Sequence, residues 1–244
     1  MCHACVKRRS VLAAALALAA GPARALDSVE PRFRPVASPG GGRRVAITLD
    51  ACNGGFDRRI FDALVAHRAR ATIFLTADWI RQNPAGLKLL LAHREQFAFE
   101  NHGAHHLPPV LGEGTMYGLA VAGTMEAVRR EVQGGADAVL AATGTAPRWF
   151  RGATARYSPA AMAEIKRMGF SIGAFSLNGD EGASLPAATV AARVAAARDG
   201  EVVIGHINQP HHAAGEGWAR AIAALAQAGV VWATLDEMKP EPLP

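Results

Sequence analysis

Asp50 closes an apolar run, Val45-Ala46-Ile47-Thr48-Leu49-Asp50, and opens onto Asn53-Gly54-Gly55. A carboxylate delivered into a glycine-rich loop can take a proton or bind a hard cation. The plain alternative is a cap on the helix that follows. Three histidines then fall within five residues, His102-Gly103-Ala104-His105-His106. The spacing of His102 and His106 puts two imidazoles on one helical face or, in a tight turn, onto one cation. Gly103 and Pro108-Pro109 favour the loop. Solvent-exposed or core histidines are the competing reading. Arg151, after Trp149-Phe150, can grip a carboxylate bidentately or make a surface ion pair. His206 ends Glu201-Val202-Val203-Ile204-Gly205 and can shuttle a proton near neutral pH. Asp180, in Asn178-Gly179-Asp180-Glu181-Gly182, can hold His206 in one tautomer or form an Asx turn. His211 and His212 follow in a loop, as extra ligands or as solvated side chains.

These residues need elements to carry them. Arg44 to Asp50, Ala71 to Thr76, Phe97 to Glu100, Arg148 to Thr154, Ser171 to Leu177, Glu201 to Ile207 and Val230 to Leu235 read as about seven strands. Between them lie helical patterns. Ile60, Phe61, Leu64 and Val65 share one face, helix signals run from Trp79 to His93, and Met125, Val128, Val132, Ala136 and Val139 recur at helical spacing. Ser158-Pro159 supply an N-cap and first-turn proline, Gly169 a stop. Two more helices fall near 187–198 and 214–228. Alternating strands and helices predict parallel βαβ units in one domain, closed as a barrel or wound as an open sheet. Both forms gather chemistry at the carboxyl ends of the strands. Asp50, His102, Arg151, Asp180 and His206 all fall there.

The chain has 244 residues, half of them apolar and 19% charged, which excludes a disordered chain. Mean hydropathy is near zero and no run of about 18 apolar residues occurs, which excludes a polytopic membrane protein. Aromatic residues make up only 6%, too few for a single-strand stacking platform. The formal charge of +5 owes four cations to the first 25 residues, and falls to +1 without them. No nucleic-acid partner is implied. Those 25 residues read as an export signal: Lys7-Arg8-Arg9, the apolar stretch Val11 to Ala20, then Ala23-Arg24-Ala25. Arg8-Arg9-Ser10-Val11-Leu12 also resembles the twin-arginine pattern. Cleavage predicts a periplasmic or secreted protein with no remaining membrane span. It discards Cys2 and Cys5 and leaves Cys52 as the only thiol. Residues 26–42, with three prolines and three consecutive glycines, read as an extended lead-in to a domain over 43–244.

Taken in order, Thr48-Leu49-Asp50, Asn101-His102 with His106, Phe150-Arg151, Asp180 and the strand-borne His206 resemble the polysaccharide deacetylases of carbohydrate esterase family 4. Val230 to Met238 is similar to that family's closing strand. The resemblance spans about Val45 to Met238 and implies a distorted (β/α)7 barrel of mostly parallel strands. It implies metal-assisted removal of an acetyl group from an N-acetylated glycan. His102 and His106 match metal ligands, Asp50 the base, and His206 the acid that protonates the departing amine. Arg151 and Asp180 match the residues that tune them. A divalent cation is implied, zinc being the ion that suits imidazole. The sequence also departs from the pattern. Ala51 and Cys52 follow Asp50 where a second Asp, the third metal ligand, is usual. That leaves Asp50 itself, Cys52, Asp57 or water to complete the site. Arg151-Gly152-Ala153-Thr154 replaces an Arg-x-Pro motif, and Asn178-Gly179-Asp180-Glu181 a longer acidic one. Two other functions stay open on these residues: a glycan-binding domain that has lost its metal, and a hydrolase of a small non-peptide amide.

Overall fold

The computed structural model describes residues 26–38 and 40–243, so the export signal read in residues 1–25 lies outside the described residues. Chain order gives β1 (Phe33–Arg34), β2 (Arg44–Ala51), α1 (Arg58–Ala66), β3 (Ala71–Leu75), α2 (Ala77–Gln82), α3 (Pro84–Ala92) and β4 (Phe97–Asn101). A hairpin of β5 (Thr115–Met116) and β6 (Leu119–Ala120) precedes α4 (Met125–Thr143) and β7 (Trp149–Phe150). Then come α5 (Pro159–Arg167), β8 (Ser171–Ile172), β9 (Leu177–Asn178), α6 (Ala187–Ala195) and β10 (Val202–His206). α7 (Ala214–Gln227), β11 (Val231–Trp232), α8 (Leu235–Met238) and β12 (Glu241–Pro242) complete the fold.

Seven strands pair in the order β8-β7-β4-β3-β2-β10-β9, every pairing parallel, and β11 adds to the start of β2. The two ends of that path, β8 and β9, are consecutive in sequence. Six inter-strand gaps of about 4.8 Å would hold them about 29 Å apart in a flat sheet. Five residue steps from Ile172 to Leu177 reach at most about 18 Å. The sheet therefore curls until its edges approach, as a distorted (β/α)7 barrel.

Side-chain alternation then divides the chain between two faces. Val45, Ile47, Leu49 and Ala51 join a cluster with α1 and α7, through residues such as Leu64 and Trp218. Ala46 joins an inner cluster with Phe74, Phe175 and Ile204. Thr48 and Asp50 share the inward parity of Ala46. They are the polar layer above that apolar floor, and both are buried.

The strands read over Arg148–Thr154 and Val230–Leu235 shrink to two residues each, β7 and β11, and three further expectations need correction. The helix signals over Trp79–His93 resolve into α2 and α3, because Pro84 has no N–H to continue α2 and starts α3 instead. The strand read over Ser171–Leu177 is two short edge strands, split where the barrel turns its corner. Ser158 occupies the N-cap position of α5 but makes no capping bond. Its hydroxyl donates to Asp27 O and accepts from Leu111 N, tying the lead-in to the loop before α4. The lead-in itself is pinned by β1 pairing with β12 and by a bridge between Val29 and Tyr157. Among the described residues no helix is long and apolar enough to cross a membrane.

Candidate active site

Asp50 and His206 are direct register partners on adjacent parallel strands, β2 and β10. Both point inward, so the sheet itself sets a carboxylate beside an imidazole at one rung. Each has its own partner of opposite charge.

Asp50 is gripped by Arg151, whose Nη1 donates to Oδ1 at 2.7 Å. Arg151 is fully buried and donates three further bonds. Its Nε donates to Gly173 O at 2.7 Å, and its Nη2 to Thr48 Oγ1 at 2.8 Å and Ala174 O at 3.1 Å. The guanidinium carbon lies 4.2 Å from the Phe74 ring centroid. The rest of that ring packs in the inner cluster, which fixes the height at which the charge sits. Burial alone would raise the pKa of Asp50; the Arg151 cation, with His102 and His206, outweighs it and keeps the carboxylate below its usual range.

His206 is gripped by Asp180. Its Nδ1 lies 2.8 Å from Asp180 Oδ1, and its backbone N–H donates to Oδ2 at 2.8 Å. Trp218 Nε1 donates to the same Oδ2 at 2.9 Å. Because the carboxylate only accepts, the proton sits on Nδ1 when the ring is neutral, and Nε2 faces the site. Burial would lower the pKa of His206; the Asp180 charge reverses that and raises it well above the ordinary value. Asp180 is itself buried, yet its pKa is lowered by His206 and by the bonds it accepts. Gly205 makes this fit possible, since a Cβ there would run into the Trp218 indole.

The histidine loop sits opposite. His102 Nδ1 lies 2.7 Å from Arg151 O, an acceptor, so Nδ1 donates and the Nε2 lone pair is free. Nε2 lies 3.3 Å from Cys52 Sγ and 3.8 Å from Asp50 Oδ2. The His102 and His106 rings are 4.9 Å apart, centroid to centroid. Ligand atoms of Cys52, His102 and His106 all lie within 4.8 Å of one another. Burial would raise the Cys52 thiol; His106 and His102 overcome it and hold the thiol well below its usual range.

This trio fits a divalent cation. Bonds of about 2.3 Å to sulfur and about 2.0–2.1 Å to nitrogen at a tetrahedral angle put the two donors about 3.6 Å apart, close to the separation found. Asp50, expected among the ligands, stands beside the trio with Oδ1 committed to Arg151. Asp57 is elsewhere: it caps α1 and pairs with Arg59, so Asp50 is not the cap either. His105 is exposed and lies 3.2 Å from Asp78. His212 donates to Ala183 O and His211 is exposed, so neither joins the site. Asp180 is engaged by His206 and Trp218, and Asn178 Oδ1 accepts from Glu181 N, three residues on.

A residue that sequence reasoning passed over holds the loop. Glu131 of α4 is buried and accepts from His105 N and Leu107 N, on either side of His106. His106 has φ 60, a left-handed conformation costly to a non-glycine residue, and this clamp holds it there. Gly103, at φ 92, leaves room for the carboxylate where a Cβ would collide with it. Glu131 falls on the same helical stripe as Val128 and Val132. An acid within an apolar stripe is the signal that could have found it.

A family model described as polysaccharide deacetylase matches residues 37–173. That span holds Asp50, Cys52, His102, His106 and Arg151 and stops before Asp180 and His206. Among solved structures, a peptidoglycan deacetylase from Bacillus subtilis is similar at 17% identity and TM-score 0.66, over 83% of this chain and 92% of that one. A family 4 carbohydrate esterase from Streptomyces lividans, in complex with acetate, is similar at 19% and 0.61, over 79% and 92%. A pseudoenzyme of the same esterase family from Bacillus anthracis is similar at 17% and 0.64, over 84% and 69%. Likeness at these identities concerns the fold. Comparison with curated proteins returns no match.

Proposed function

The chain belongs to the polysaccharide deacetylase family, and on that premise we propose that it is an exported, metal-dependent hydrolase removing N-acetyl groups from an envelope or extracellular glycan. One observation carries the reading: two titrating groups at one rung of the barrel each meet a partner of opposite charge, Asp50 against Arg151 at 2.7 Å and His206 against Asp180 at 2.8 Å. Amide hydrolysis needs that division, because one group must accept a proton and the other must donate one.

Water adds to the acetyl carbonyl carbon while Asp50 accepts one of its protons. The C–N bond then breaks, its electron pair staying on nitrogen. The proton on His206 Nε2 moves to that nitrogen, giving a free amine and acetic acid, which ionises to acetate; Asp50 then loses its proton to solvent and His206 regains one. Arg151 keeps the Asp50 carboxylate ionised and aimed, and Asp180 keeps the outer nitrogen of His206 protonated and aimed. Bound at the histidine loop, a divalent cation, zinc in this reading, supplies Lewis acidity to the carbonyl and lowers the pKa of water from about 15.7 to about 7, within reach of a carboxylate as weak as Asp50.

The competing reading, a glycan-binding domain without chemistry, was motivated by Ala51. Both halves of the acid–base apparatus argue against it. The test is acetate release from chitin oligomers and peptidoglycan by metal-loaded protein, with and without chelator. Release that the chelator stops supports the hydrolase. Glycan binding without release by protein holding one equivalent of metal refutes it. Release from small amides alone would move the substrate class and leave the mechanism standing.

A further inference from the structure

We infer that Cys52 is the third protein ligand of the metal site, making it a one-thiolate, two-imidazole centre suited to a thiophilic divalent cation such as zinc. The inference rests on the metal-dependent reading above and sharpens it. Strand parity carries the first part. Ala46, Thr48 and Asp50 point inward, and Cys52 follows at the next inward position, whereas Ala51 points outward into the helix-side core. A methyl at position 51 is therefore no vacancy in the site. Thr76 Oγ1 donates to Cys52 O at 2.5 Å and fixes the backbone just past the strand.

Surroundings carry the second part. A buried structural cysteine normally packs among apolar groups. Cys52 belongs to none of the apolar clusters among the described residues, and its sulfur faces the free Nε2 of His102 and the His106 ring. The nearby carboxylate, Asp50, gives Oδ1 to Arg151 and falls outside the group of ligand atoms lying within 4.8 Å of one another. Charge agrees as well. A thiolate with two neutral imidazoles leaves a dication with a net positive charge, while Asp50 and Arg151 neutralise each other. Thiolate in place of carboxylate shifts the preference from hard cations toward zinc.

The test uses the full chain carrying Cys2→Ser and Cys5→Ser, so that Cys52 is the only thiol. Co²⁺ or Cd²⁺ is titrated into chelator-stripped protein and the thiolate-to-metal charge-transfer absorption is recorded. The expected result is a band that saturates at one equivalent. It disappears in Cys52→Ser, with Zn²⁺ affinity weakened at least as much as the roughly 10–100-fold typical of losing an outer-shell partner. Cys52→Asp is expected to bind without the band. One equivalent of bound Co²⁺ with no band, or unchanged Zn²⁺ affinity in Cys52→Ser, overturns the inference. Acetate release from the same zinc-loaded chain judges the hydrolase reading separately: a band without release defeats that reading, and release without a band defeats this one.

Discussion

Replacing Asp180 by asparagine puts a donor where the structure has only donors converging. The carboxylate accepts from the His206 ring and backbone at 2.8 Å each and from Trp218 at 2.9 Å. Asparagine keeps one acceptor. If its oxygen serves His206 N and Trp218, its NH2 meets the His206 Nδ1–H, and the imidazole must shed that proton or turn away. Breaking a buried ion pair by removing one partner costs about 3–5 kcal/mol. The pH dependence has a definite sign. The folded pKa of His206 is raised, so its contribution is complete below the unfolded value of about 6.5 and fades as pH rises through the folded value. That of Asp180 is lowered, so its contribution is complete above about 3.9 and fades as pH falls through the folded value. The stability gap between wild type and Asp180→Asn is therefore widest from about pH 4 to about pH 6.5 and narrows on both sides. Urea denaturation in chelator, across pH 3 to 9, measures it without a bound cation. Turnover should fall by about 10²–10⁴ with metal stoichiometry unchanged. A gap below about 1 kcal/mol, or one indifferent to pH, would refute the pairing as the source of His206's charge.

His206→Ala should retain one equivalent of metal and lose about 10²–10⁴ in kcat, whereas His102→Ala should lose metal and activity together. Metal analysis beside acetate release separates the two, and full turnover in His206→Ala removes its acid role. Glu131→Ala strands two partly buried N–H groups, at up to about 1–3 kcal/mol each, and loosens the loop around His106. Its Zn²⁺ affinity by calorimetry should drop about 10–100-fold, and an unchanged value would deny the clamp. Gly205→Ala drives a methyl into the buried Trp218 indole and should cost about 1–3 kcal/mol in urea denaturation. An unshifted midpoint would mean that Trp218 can move.

The fold was largely legible because its strands are long apolar runs in the middle of the sheet. β2, β3, β4 and β10 were read to within a residue or two. The short strands were not: β8 and β9 at the ends of the sheet, and β7 beside β8, are two residues each. The charged residues of the site were legible for a related reason. Asp50 lies one residue short of the end of β2, and His102, Arg151 and His206 each end or directly follow a strand. Glu131 and Trp218 escaped notice because they lie within elements and their neighbours in sequence do not name the loop or carboxylate they serve; Thr48 entered only as part of the Thr48-Leu49-Asp50 motif.

The third ligand turns on a distinction between order along the chain and side of the sheet. Matched by order, the residue after Asp50 is an alanine and the metal site looks broken. Matched by side, position 51 belongs with Val45, Ile47 and Leu49 against the helices, and the inward sequence runs Ala46, Thr48, Asp50, Cys52. Period-two alternation makes any shift of one residue a change of face. A ligand one residue further along the motif than Ala51 therefore shares the face of Asp50, although β2 itself ends at Ala51. Cys52 is the first residue free of the ladder, held instead through its carbonyl by Thr76. Its side chain meets the two imidazoles on the inward side that the alternation sets for position 52.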